Sequence, residues 1–203
     1  GASESFVNRV GASAGVAHAA EVPVFYDDIS WDKKVGVALF DTGATGLERS
    51  LCNHSWLLKQ MQDCPERVCI TGHKVQSLAT ADGSPMRAVL TADIKLNFSH
   101  QCGESHSRNT VKPVDVGGED EMETLLLQRP VEVVVSVMSV AGLAADLIFG
   151  DEFMLKHGPD FTYRAAKGII MLSRDIEHME PWLCVQTLSA GSSKVAAAAA
   201  ITA

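Results

Sequence analysis

The chain is short of positive charge. Seventeen Lys and Arg stand against 25 Asp and Glu, a formal net charge of −8. A nucleic-acid interface needs clustered Lys and Arg, so this balance argues against one. Much of the acid is concentrated in Asp115–Glu123, which reads as a solvated loop face and leaves the remainder nearer neutral. A paired-cysteine framework is missing too: Cys52, Cys64, Cys69, Cys102 and Cys184 are odd in number and irregularly spaced. Reduced thiols in a cytoplasmic, intracellular setting are the expectation. The stretch CPERVCITGH holds Cys64, Cys69 and His73 but lacks a common zinc spacing, so no metal and no cofactor are expected.

Nor is there a long apolar run. Val131–Gly150 is the most apolar segment, yet Glu132, Ser136, Ser139 and Asp146 interrupt it. It makes a poor membrane span and a good pair of buried strands, and no membrane partner is expected. Residues 1–20 lack a basic start followed by an apolar core, so no export signal is read there. Without one, the glycosylation-like triplets NHS at Asn53 and NFS at Asn97 carry little meaning.

What is present is the composition of a globular domain. Hydrophobic residues make up 46% and charged residues 21% of 203, enough for one domain with a real core. Residues 1–20 are rich in Gly, Ala and Ser and read as a flexible N-terminal segment; residues 176–203 read as a C-terminal segment ending in the low-complexity SAGSSKVAAAAAITA. The domain is expected over residues 21–175.

Within it the signals are mostly β. Val22–Ile29 and Val35–Phe40 flank the polar SWDKK and predict a hairpin. LERSLCNHSWLLKQM places Leu51, Trp56, Leu57, Leu58 and Met61 on one face of a short helix. Val68–Ala79 predicts extended chain, ADGSP a turn, and MRAVLTADIKLNF an alternating strand. Residues 99–129 are polar and acidic, and predict a long surface insertion with a helical turn near Met122–Leu127. Val131–Val140 predicts a buried strand. ADLIFG follows as another, then DEFMLKHG as a short helix with Asp151 as N-cap and Gly158 as its stop. DFTYRAAKGIIML closes the pattern as a hairpin. The sum is a β-rich, barrel-like domain with one or two short helices.

One stretch carries chemistry. In VGVALFDTGATG an apolar strand ends at Asp41 and enters a loop of small residues, which would present the carboxyl at a strand end with room for a substrate. Four features in order resemble the retropepsin-like aspartic proteases of retroviruses and retrotransposons: FDTGAT at Phe40–Thr45, the turn TADGSP at Thr80–Pro85 before a strand, ADLIFG at Ala145–Gly150, and the helix DEFMLKHG directly after it. The resemblance spans roughly Val22–Ser173 and implies a closed β-barrel acid-protease fold. It implies Asp41, Thr42 and Gly43 as catalytic residues, with Thr42 tying two catalytic loops together. Ala44 and Thr45 would then bind substrate together with the flap residues Ala81, Asp82, Gly83 and Ser84.

Aspartic proteolysis needs two carboxylates sharing one proton. The chain holds a single Asp-Thr-Gly string, and Asp146, Asp151 and Asp160 lie in other contexts. The resemblance therefore implies an obligate homodimer with Asp41 from each subunit, acting on an extended peptide or polyprotein. Retroviral members often pair an acid just after this string with an arginine after the bracing glycine. Here Thr45 and Gly46 face Asp151, that ion pair is absent, and the chain looks closer to retrotransposon-type or cellular relatives. Two other readings stand beside this one: a catalytically silent dimeric binding module of the same fold, and an actin- or sugar-kinase-like nucleotide-binding protein, whose Asp-x-Gly-x-Thr phosphate loop FDTGAT loosely fits.

Overall fold

The structure, a computed structural model, describes residues 5–6, 19–73, 77–80, 82–104, 125–174 and 182–188. In chain order its elements are β1 (Ser5–Phe6), β2 (Ala19–Val24), β3 (Gly36–Asp41), β4 (Ser50–Asn53), α1 (His54–Asp63), β5 (Val68–Gly72) and β6 (Ser77–Ala79). There follow β7 (Pro85–Glu104), β8 (Leu125–Val140), β9 (Leu147–Phe149), α2 (Asp151–His157), β10 (Asp160–Arg164), β11 (Ile169–Ser173) and β12 (Leu183–Gln186). The architecture is mainly β, a curled sheet with two short α-helices. No helix among the described residues is long and apolar enough to cross a membrane.

The sheet runs in the order β10-β11-β12-β7-β8-β4-β9-β3-β2, with β5 and β6 added along β7. Its curl brings Phe25, just past β2, back to Asn97 of β7, and the two residues exchange N–H···O bonds of 2.8 Å in each direction. The expected closed barrel is thus a curled sheet, tied by that bridge and, just past β12, by the Leu188 N–H on the Glu21 carbonyl at 2.8 Å.

Strand β3 explains why the apolar run before Asp41 is unbroken. It pairs antiparallel with β2 on one side and parallel with β9 on the other. A central strand covered on both faces reads as continuous hydrophobic sequence. Ala38 and Phe40 point into the main core, while Leu39 points into a second cluster with Ala44, Leu47, Leu51, Leu78, Met86 and Ile148. β8 has one wet face instead: Val133, Val135 and Val137 are buried while Glu132 and Val134 are exposed, the period-two pattern of a strand.

Four phenylalanines form the centre of the main core. Phe149 stacks on Phe153 with centroids 4.2 Å apart and meets Phe40 edge-on at 5.1 Å; Phe98 lies 5.9 Å from Phe149. Such pairs add to plain area burial. Phe149→Ala is expected to cost about 3–5 kcal/mol, read as a lowered urea midpoint.

Several expectations shift. The helix expected over LERSLCNHSWLLKQM starts only at His54, because Ser50–Asn53 pairs as β4 with both β8 and β9. Asn53 then caps α1, its side chain accepting the Trp56 N–H at 2.9 Å and donating to the Leu143 carbonyl at 2.5 Å. Asn97 is buried and donates to the Tyr26 carbonyl, so both asparagines of the glycosylation-like triplets serve structure.

The insertion is shorter than expected. β7 and β8 stay in antiparallel register out to Glu104 and Leu125, so residues 99–104 and 125–129 belong to a ribbon. The helical turn expected near Met122–Leu127 is strand from Leu125 onward, and the rest of it lies outside the described residues. Polarity misleads here because β12 covers the ribbon: Val185 pairs with His100, whose Nδ1 accepts the Cys184 N–H at 2.9 Å. β12 itself falls in the stretch expected as a C-terminal segment. Likewise Ala19 and Ala20 open β2, and Ser5–Phe6 pairs with Leu78–Ala79, so parts of the expected N-terminal segment join the sheet. The remainder of both segments lies outside the described residues.

Candidate active site

β3 carries its ladder through to Asp41, which pairs with Ala19 of β2. The chain then turns: the Ala44 N–H donates to the Asp41 carbonyl at 3.2 Å, and the Gly43 N–H donates to the Asp41 carboxylate at 2.8 Å. One carboxylate oxygen, Oδ1, is therefore held. The other, Oδ2, is buried and has no hydrogen-bond partner among the described residues.

The sequence expects Asp41 to be exposed at its strand end, and here it differs from the structure. Asp41 is only 2% exposed, because the ladder continues through it and the loop folds back over the strand end. Burial pushes its carboxyl above the ordinary range, and the Gly43 and Ala44 N–H groups hold back part of that rise.

Around Asp41 the loop is small and closely covered. Thr42 and Thr45 are half-buried, Gly43 and Ala44 are buried, and Gly46 takes a left-handed φ of 71°. Gly150 packs so tightly against the loop that a Cβ there would lie 2.4 Å from the Ala44 carbonyl oxygen.

The β6–β7 hairpin reaches the loop through its base. Leu78 and Met86 share the second apolar cluster with Ala44. At the tip, Asp82, Gly83 and Ser84 are exposed, and Ala81 lies outside the described residues. The turn is closed by Thr80 N–H to the Ser84 carbonyl and Gly83 N–H to the Thr80 carbonyl, both 2.9 Å, with Gly83 at φ 84°. Asp82 accepts from the Thr80 hydroxyl and from the Ser84 N–H at 2.9 Å, and these bonds hold its carboxyl down to about 2.

A depressed acid stabilises above its ordinary titration range and stops doing so as pH falls through the folded value. Ser84 amide protection is therefore expected to persist until pH approaches 2, and to weaken at neutral pH in Asp82→Ala. Hydrogen exchange at Ser84 checks both.

No protein-family model, curated protein or solved structure matches the chain. The site must speak through its own geometry. Asp146, the nearest acid in the bracing motif, accepts the Val37 N–H at 3.0 Å and so sits at the other end of β3. Four residues of strand put it about 13 Å from Asp41 along the chain direction. Among the described residues no three His, Cys, Asp or Glu side chains are arranged to hold a metal ion.

Two residues at the site have roles the sequence reading missed. The N-cap of α2 is Gly150 rather than Asp151, which is the first helical residue. The Asp151 N–H donates to the Ala44 carbonyl at 2.9 Å, and its carboxylate accepts the Gly46 N–H at 3.2 Å. Glu152 accepts the Ser50 hydroxyl at 2.6 Å. The signal available was the acid pair directly after the bracing glycine.

Proposed function

We propose that the protein is a retropepsin-type aspartic endopeptidase, active as a homodimer whose two Asp41 side chains form one dyad. The observation that carries the reading is the divided carboxyl of Asp41. Oδ1 is fixed by Gly43, while Oδ2 is buried without a partner among the described residues. A buried, unpaired carboxylate oxygen costs roughly 1–3 kcal/mol or more, and a shared proton from a second carboxyl would offset that cost. The raised carboxyl of Asp41 supports the same reading, since a dyad must hold one proton in its working range.

In this mechanism one Asp41 takes a proton from water as its oxygen adds to the scissile carbonyl carbon. The protonated Asp41 of the partner hydrogen-bonds the carbonyl oxygen as negative charge develops there. Collapse of the tetrahedral species breaks the C–N bond, and the amine leaves with a proton delivered from the dyad. The titration belongs to the pair and not to either residue. The substrate is an extended peptide or polyprotein segment, bound by its main chain beneath the hairpins of Asp82–Ser84, in an intracellular setting. No cofactor enters the chemistry.

A silent dimeric module is the second reading, and the observation favouring it is the 2% exposure of Asp41. One experiment separates the two. The protein is incubated with a pool of unfolded peptides from mildly acidic to neutral pH, with and without a pepstatin-type inhibitor. Inhibitor-sensitive cleavage by the wild type supports the enzyme; dimerisation with no cleavage at any pH supports the module.

A further inference from the structure

The loop Asp41–Ser50 leaves β3 and rejoins the sheet at β4 with eight residues between its ends. Three consecutive residues at the junction of β9 and α2 grip it. Gly150 lies against the Ala44 carbonyl, closer than any side chain allows. Asp151 takes hold twice, donating its N–H to the Ala44 carbonyl and accepting the Gly46 N–H on its carboxylate. Glu152 accepts the Ser50 hydroxyl where the loop ends.

Each acid spends one oxygen on the loop. The second oxygens, Asp151 Oδ1 and Glu152 Oε2, are buried with no hydrogen-bond partner among the described residues. An acid in the first turn of a helix is ordinarily turned toward free N–H groups of its own helix or toward water. Here the carboxylate of Asp151 is turned across to another segment, onto a backbone N–H five residues past Asp41. Backbone contacts at Ala44 and Gly46 fix the peptide planes on the far side of Gly43. It is the Gly43 N–H that orients the Asp41 carboxylate.

We infer that Asp151 is a positioning residue for Asp41: its carboxylate pins Gly46 and thereby holds the Gly43 N–H on the Asp41 carboxyl, with Glu152 securing the loop's far end at Ser50. Among the described residues no cation pairs with the Asp151 carboxylate. The inference rests on the reading of Asp41 as a catalytic group, but its structural half does not depend on cleavage.

The test joins amide exchange to kinetics. In the wild type the Gly46 amide is expected to be protected, exchanging at least about tenfold slower than an open loop amide. Asp151→Ala should lose that protection, while Asp151→Asn, whose amide oxygen accepts the same N–H, should keep it. On cleavage, Asp151→Ala should lower kcat by roughly ten- to a hundredfold with KM little changed, the pattern of a misplaced reacting group, and Asp151→Asn should restore most of it. A wild-type Gly46 amide that exchanges as freely as an open loop overturns the inference, and this needs no variant to fold. So does an Asp151→Ala protein with wild-type kcat, or an Asn variant no better than Ala. If wild type cuts nothing while Gly46 protection still follows Asp151, the protease reading falls and the clip on the loop stands.

Discussion

Asp41→Asn is expected to abolish peptide cleavage and leave the protein folded, with its thermal midpoint at neutral pH raised. The two halves come from one observation. Asn keeps the shape of the side chain, and its carbonyl oxygen can still accept the Gly43 N–H that Asp41 accepts at 2.8 Å. What it removes is the titratable carboxyl, without which no water is deprotonated and no shared proton exists. Losses of about a thousandfold or more in kcat are usual for a group of this kind.

The stability half follows from burial. The carboxyl of Asp41 is raised in the folded chain, so folding favours its protonated form. That contribution is complete below the ordinary carboxyl value and is lost as pH rises through the folded value. Above the ordinary carboxyl value the wild type therefore loses stability as pH rises, a loss that Asn, with no group to titrate, does not share. Each kcal/mol recovered shifts the midpoint of a domain of this size by about 2–4 °C. Melts at pH 4 and pH 7 should show Asn ahead of Asp only at the higher pH. Mixing sharpens the catalytic half. If active sites are shared between two chains, equal parts of wild type and Asp41→Asn leave about one quarter of the dimers intact. Activity that falls only to half, as independent monomers would give, sinks the shared dyad.

Gly150→Ala is expected to damage both stability and cleavage. Its Cβ would stand 2.4 Å from the Ala44 carbonyl oxygen and 3.0 Å from the Ala44 side chain. The obstacle is backbone and cannot rotate away. The Ala44 carbonyl also accepts the Asp151 N–H at 2.9 Å, so moving it breaks a bond that holds the loop. Overpacking of this kind costs about 1–3 kcal/mol, which predicts a midpoint lowered by about 2–12 °C together with loss of cleavage. A variant as stable and active as wild type would show that the loop is not held at this point. The φ of Gly150 is −107°, so the penalty is contact alone and not backbone strain.

The parts of the fold that were legible in the sequence have side-chain signatures. The run ending at Asp41 announced an apolar strand and Asp82-Gly83 announced a turn; the valine-rich run of β8 announced a buried strand, whose outward face with Glu132 and Val134 is in fact exposed. The parts that were not legible depend on partners distant in sequence. Ser99, His100 and Gln101 read as solvent-facing because they are polar, yet all three are buried. What buries them is a strand some eighty residues further along the chain, supplied from a stretch whose composition suggested a tail. Asp151 was weighed as a helix N-cap, as a second acid for the dyad and for a charged partner. Its actual partner is the backbone N–H of Gly46, a group that leaves no trace in a pattern of residue types. The burial of Asp41 was hidden for the same reason, since it comes from loop closure and not from neighbours in sequence.

The place of β12 bears on how the protein is made. β12 lies between β11 and β7 in the sheet, and just beyond it the Leu188 N–H donates to the Glu21 carbonyl of β2 at 2.8 Å. During synthesis the earlier strands emerge first, but the sheet keeps a gap until Leu183–Gln186 has cleared the ribosome. Contacts between residues far apart in sequence are slow to form. The loop bearing Asp41 therefore leaves the ribosome well before the strand that completes its sheet. On the proposed reading as a protease, the order of translation would place the completed sheet, and with it the dimer, after the catalytic loop has been made.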